Sequence, residues 1–125
     1  YISPQKIETL LGQDPLIEQV VTIGDNRKYV AALVVPATEA LQVFARENGI
    51  SFNETAELLE NEQVLALYKS RIDDLQNVLA EHEKVKQFAL LNKPFSIENN
   101  TLTSTLKTKR RVIYKLYDDL IEGLY

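Results

Sequence analysis

The chain has 125 residues, a formal net charge of -4, 45% apolar and 26% charged residues, and no cysteine. That length predicts one domain able to bury about two thirds of the surface its unfolded chain would expose. The composition excludes disulfide staples, thiolate metal sites and cysteine nucleophiles, and no apolar run reaches the ~18 residues that a membrane-spanning helix needs.

Ser3-Pro4 reads as an N-cap followed by proline at the first helical position. Ile7, Leu10 and Leu11 give the helix its apolar stripe and Gly12 its stop. A helix starting this close to Tyr1 reads as a domain cut from a longer protein. Leu16-Ile17 is expected as a short turn after Asp14-Pro15. Gln19 to Gly24 and Tyr29 to Val35 are strands by β-branched content, joined as a hairpin through a five-residue loop. The second is apolar on both faces, so it is expected to be central.

Thr38 to Asn48 reads as a helix with Leu41, Phe44 and Ala45 inward and Gly49 at its C-terminus. Asn53 is the expected N-cap of a short helix through Glu60. Glu62 to Glu83 is the longest helical pattern, its stripe formed by Val64, Tyr68, Ile72, Leu75 and Leu79. Gln87 to Asn92 reads as the third strand, and Lys109 to Leu124 as a last helix with Val112, Ile113, Leu116, Tyr117, Leu120 and Ile121 inward. The sum is an α+β fold: a small three-stranded sheet covered by helices, a helical insert between strands two and three, and a C-terminal helix.

The segment Leu102-Thr103-Ser104-Thr105-Leu106-Lys107-Thr108-Lys109-Arg110-Arg111 stands out. Five cations fall between Lys107 and Lys115 with no acid among them. Local positive charge on an acidic chain marks either an anion-docking site or a solvated helix face, and charge alone does not choose. Ser104, Thr105 and Thr108 suggest a flexible, hydroxyl-rich arm. His82 is the one histidine; no G-x-S-x-G elbow and no ligand-spaced partners accompany it, so it reads as solvent-facing. Asp73-Asp74, Asp118-Asp119 and the series Glu54, Glu57, Glu60 read as solvated helix faces, which leaves no metal site. Tyr114, Tyr117 and Tyr125 fit helix packing better than base stacking.

The wording L-T-S-T-L-K-T-K-R-R-V-I resembles the terminal signature of long-chain acyl-CoA synthetases, usually L-T-P-T-L-K-x-K-R, with P-x-G-K-x-x-R in more distant relatives. These belong to the adenylate-forming, AMP-binding superfamily. The opening Tyr1-Ile2-Ser3-Pro4-Gln5-Lys6-Ile7-Glu8 is similar to the end of its hinge motif, R-I-x-P-x-E-I-E. The hairpin text V-V-T-I-G-D-N-R-K-Y-V-A-A-L-V-V-P and the long insert are close to the long-chain branch, so the resemblance covers the whole chain. Ser104 stands where the family usually has proline. The family's hinge residue and glycine-rich phosphate loop are not in the chain, whose four glycines are scattered singly.

The resemblance implies that residues 1–125 form the mobile C-terminal lid of an ATP-dependent long-chain fatty acid–CoA ligase, inactive in isolation and working against its own N-terminal adenylation domain. Lys107 would then be the catalytic lysine of adenylation. Lys109, Arg110 and Arg111 would contact phosphates of ATP or coenzyme A, or else position the loop. Tyr1, Ile2 and Ser3 would line the coenzyme A channel. ATP with Mg²⁺, coenzyme A and a fatty acid are the implied reactants, and the expected setting is the cytoplasm, free or at a membrane surface. Two rivals stay open: a ligase that passes its adenylate to a carrier protein, and a non-catalytic anion-binding module. A pI near 5.0 argues against nucleic acid as the partner.

Overall fold

The computed structural model describes residues 3–125. Its centre is β2 (Val30–Pro36), every residue of which is buried. β1 (Ile17–Ile23) pairs with it antiparallel on one side and β3 (Val85–Leu90) parallel on the other, giving the order β1-β2-β3. Because side chains alternate along a strand, β2 serves two cores. Val30, Ala32 and Val34 face one layer and Ala31, Leu33 and Val35 the other. That is why its sequence is apolar without a break.

A parallel pair needs a crossover, and the segment between β2 and β3 supplies it. It contains α2 (Thr38–Glu47), a 3₁₀ turn (Thr55–Glu60) and α3 (Glu62–Leu75). Together with α1 (Pro4–Leu11) these elements cover the first face, burying Ile7, Leu11, Leu41, Leu58, Val64, Tyr68 and Ile72. The second face is covered by α4 (Arg110–Leu116) and α5 (Asp118–Glu122), with Ile113 and Ile121 inward beside Leu91, Phe95 and Leu102. The predicted architecture holds, hairpin and helical insert included.

Local chemistry explains the ends of these elements. Gly49 takes a left-handed backbone (φ 68°) after α2, and the amide of Ile50 reaches back to the Ala45 carbonyl at 2.8 Å. This is the glycine-closed helix end anticipated from sequence. Asn61 caps α3, its side-chain oxygen accepting from the amides of Gln63 and Val64. Asp14, expected only as a breaker, is buried; its carboxylate accepts from the Leu16 amide at 2.8 Å and from Arg71 Nε at 2.7 Å.

Several boundaries differ from expectation. Ser3 sits at the N-cap of α1, but its side chain makes no capping bond. Ile17 belongs to β1 and not to a turn, and β3 starts two residues early at Val85. The short helix is capped by Glu54, not Asn53; the Glu57 carboxylate accepts both of their amides. Those bonds pull Glu57 below the usual carboxylate range.

The expected helix through Glu83 stops at Leu75. Gln76 is buried, and its amide group donates to the Val85 carbonyl and accepts from the Val85 amide at 2.9 and 2.8 Å. A side chain that replaces a strand partner holds the chain out of the helix. The last helix is likewise two, broken at Tyr117 (φ -109°, ψ 25°). The break leaves Leu116 and Leu120, expected inward, 60% and 40% exposed. Tyr117 and Val112 are half-buried.

Candidate functional site around Lys107

The segment expected to be a flexible arm is a closed hairpin. It springs from a buried polar knot: Thr101 is 1% exposed, and the Ser96 amide donates to both Thr101 Oγ1 (2.9 Å) and Asn99 Oδ1 (3.1 Å). From there Leu102 bridges to Thr108, the Lys109 amide donates to the Thr101 carbonyl at 2.9 Å, and the Thr103 amide donates to the Lys107 carbonyl at 2.8 Å. Of the hydroxyls that suggested mobility, that of Thr105 is bonded inside the turn. Thr103 Oγ1 accepts the Lys107 amide at 3.1 Å and lies 3.1 Å from Thr105 Oγ1. Short polar side chains that satisfy turn amides fix a loop as readily as they loosen one.

Both backbone groups of Lys107 are thus held by Thr103, while its side chain is exposed. Among the described residues its ammonium forms no ion pair. The preceding residue, Leu106, has a left-handed backbone (φ 63°) and is 67% exposed. A non-glycine residue there costs about 1–2 kcal/mol. This is the position held by glycine in the P-x-G-K form of the signature, so the turn geometry calls for glycine even where the sequence has leucine.

The other cations differ in their surroundings. Lys109 Nζ donates to Asn100 Oδ1. Arg111 is exposed and, among the described residues, forms no ion pair. Arg110 is turned inward: Nη1 and Nη2 each lie 2.7 Å from one oxygen of Glu8 on α1. The paired carboxylate raises the guanidinium further above its already high range. Both ends of the Arg110 guanidinium are thus engaged by Glu8 within the domain. Ser3 is half-buried beside the start of α1, whereas Tyr1 and Ile2 lie outside the described residues.

Between α1, β1 and the hairpin runs an open groove of about 500 Å³, lined by Gln5, Glu8, Gln19, Val20, Phe95 and Leu106 among others. Gln19 ties its walls together, donating to the Phe95 carbonyl at 2.9 Å and accepting the Phe95 amide at 2.7 Å. No group of three or more His, Asp or Glu among the described residues is arranged to hold a metal ion. His82 is exposed in a 3₁₀ turn, as expected. Tyr114 donates to the Thr22 carbonyl, and Tyr125 stacks on Tyr29 with ring centres 4.8 Å apart, so both serve packing.

This fold and lysine hairpin match a known class. A family model for the AMP-binding enzyme C-terminal domain covers residues 2–125, and the chain belongs to that family. Similar proteins include long-chain-fatty-acid–CoA ligase 5 of Rattus norvegicus, 37% identical over 131 residues, and long chain acyl-CoA synthetase 1 of Arabidopsis thaliana, 29% identical over 129 residues. Each match covers 100% of this chain and 19% of the relative, so the chain spans about a fifth of their length. Among solved structures, the A-PCP didomain of carboxylic acid reductase from Segniliparus rugosus in complex with AMP superposes with a TM-score of 0.77 at 28% identity. It covers 98% of this chain and 16% of that one. A benzoate CoA ligase from Burkholderia xenovorans LB400 shares the fold at 18% identity, TM-score 0.56, over 90% of this chain and 18% of its own.

Reading by residue type passed over Glu8 and Thr22. Glu8 appeared only as the last letter of the hinge-motif wording, and nothing near it in the chain announces a partner at position 110. Thr103 appeared only as a letter of the lysine-segment wording. Its signal was the pair Thr103 and Lys107, four residues apart, with a hydroxyl placed to close the turn.

Proposed function

We propose that this chain is the C-terminal lid of a full-length, ATP-dependent long-chain fatty acid–CoA ligase, and that Lys107 supplies the cation for acyl-adenylate formation. The observation that carries this reading is the Lys107 side chain, exposed and without an acidic partner among the described residues, on a hairpin whose backbone is fixed. In adenylation a carboxylate oxygen attacks the α-phosphorus of ATP and the bond to pyrophosphate breaks. Both reactants are anionic, so a compact ammonium on a long stem stabilises charge gathering on oxygen, the more so once water is excluded. In the second half, the coenzyme A thiol attacks the acyl carbon and AMP leaves.

The nucleotide, its Mg²⁺ and the acyl chain belong in this reading to the partner domain. In this reading Lys109 and Arg111 are the further cations that would meet a phosphate, and Ser3 the described residue that would face coenzyme A. Lid motion between two poses would present the lysine first and the hinge side second. The reading is tested in the full-length enzyme by pyrophosphate release. Lys107→Ala is expected to lower that rate ~10² to 10³-fold; adenylation at the wild-type rate would end the assignment.

A second reading, transfer of the adenylate to a carrier protein, draws on the higher TM-score of the A-PCP didomain, 0.77 against 0.56 for the benzoate CoA ligase. Acyl transfer assayed side by side with free coenzyme A and with a carrier domain separates the two.

A further inference from the structure

Thr22 lies on β1, an edge strand, and is 2% exposed. It is registered opposite Ala32 of β2, and its amide and carbonyl also bond to side chains of other elements. The Glu8 carboxylate accepts both the Thr22 amide (2.8 Å) and the Thr22 hydroxyl (3.1 Å), and the Tyr114 hydroxyl donates to the Thr22 carbonyl at 2.6 Å. The same carboxylate holds Arg110 through both of its oxygens. One carboxylate therefore collects four donors from two other elements, and α1, β1 and α4 meet across the open edge of the sheet. The two side chains are 14% and 29% exposed. Most of the water that would weaken the pair is excluded, and the fork-to-fork geometry fixes direction as well as distance.

We infer that the Glu8–Arg110 pair is the positioning device for Lys107, tying the hairpin that carries the lysine to the hinge-side helix. Arg110 is three residues beyond Lys107, within roughly 11 Å even for fully extended chain. The hairpin has one anchor in the Thr101–Ser96–Asn99 knot and this pair as its other. Arginine opening a helix sits unfavourably against the helix dipole, so its place there is accounted for by Glu8 rather than by the helix. In this inference Glu8 and Arg110 act through Lys107 and not on the reacting atoms. They set where the ammonium of Lys107 arrives when the lid closes, and an error of about 1 Å in such placement can cost up to 10²-fold in rate.

The inference rests on the role proposed above for Lys107, and the test keeps the two apart. In the full-length ligase, Arg110→Lys keeps the charge but cannot span both oxygens, and Glu8→Gln keeps the shape but removes the charge. Each is expected to lower kcat for pyrophosphate release about 10-fold with KM for ATP and acid within about twofold, and to leave thioester formation from preformed acyl-adenylate within about twofold. In a Lys107→Ala background neither should lower adenylation further, because a positioning residue has nothing left to position. Equal losses in both half-reactions, or full additivity with Lys107→Ala, would overturn the inference and make the pair a stability element only. Should Lys107→Ala abolish adenylation while both pair variants run at the wild-type rate, the inference fails and the role of Lys107 stands. Should Lys107→Ala itself be active, the underlying reading fails first.

Discussion

The two faces of the sheet share β2 but do different work. On the insert side, Leu41, Leu58, Val64, Tyr68 and Ile72 fill a core in which polar groups serve only to close the chain on itself. Tyr68 donates to the Leu16 carbonyl, and Arg71 pairs with Asp14. On the other side a smaller core, with Leu33, Phe95, Leu102 and Ile113, underlies the hairpin that presents Lys107. There the polar groups hold the backbone beneath one exposed side chain. Stability is concentrated behind the sheet and the candidate chemistry in front of it. The Glu8–Arg110 pair joins the two around the open edge of β1.

That division predicts substitutions that split activity from stability. The largest effect is expected for Lys107→Ala. Its ~10² to 10³-fold loss of adenylation should come with an unfolding midpoint unchanged to within about 0.5 kcal/mol, as for other surface substitutions. A drop of several kcal/mol would mean that the lysine belongs to the fold. Leu41→Ala is the opposite case. Truncating a fully buried leucine on the insert side should cost about 2–5 kcal/mol in urea unfolding, with the half-reaction rates of the folded fraction unchanged.

Gln76→Ala comes next. It removes both partners of the buried Val85 backbone, and a loss of about 2 kcal/mol is expected by chemical denaturation. Hydrogen exchange at the start of β3 should rise with it, and protection equal to the parent's would show that the side chain is not what holds Val85.

The smallest effect carries a pH signature. Burial pushes the Tyr68 phenol above its ordinary value of 10.0. The folded protein therefore keeps the proton while the unfolded chain releases it near pH 10. The linked stability is fully present below pH 10 and is lost as pH rises above it. Tyr68→Phe should cost about 1 kcal/mol at neutral pH, since the Leu16 carbonyl still accepts from the Ala37 amide at 2.8 Å. Its alkaline loss of stability should be shallower than the parent's, and an identical slope would place the titration elsewhere.

Much of this was legible in the chain because its signals are local. Pro4 at a helix start, Gly49 at a helix end, the doubly apolar β2 and the stripe Val64, Tyr68, Ile72 each lie within a few neighbouring residues, and periodicity or backbone preference reads them directly. The lysine segment was legible as a motif but not as a shape. Its hydroxyls are compatible with a loose arm or a closed turn, and only their partners distinguish the two.

Sequence alone therefore determined the order of the elements, the central strand, the closure of α2 and the position of the lysine, because short-range sterics and side-chain alternation decide these. Tertiary structure alone decided that the longest helix ends at Leu75, that the last one breaks at Tyr117, and that Arg110 faces Glu8 and not solvent. Those outcomes depend on hydrogen bonds and packing between residues far apart in the chain. Nothing in the neighbourhood of either partner encodes which distant group will satisfy it.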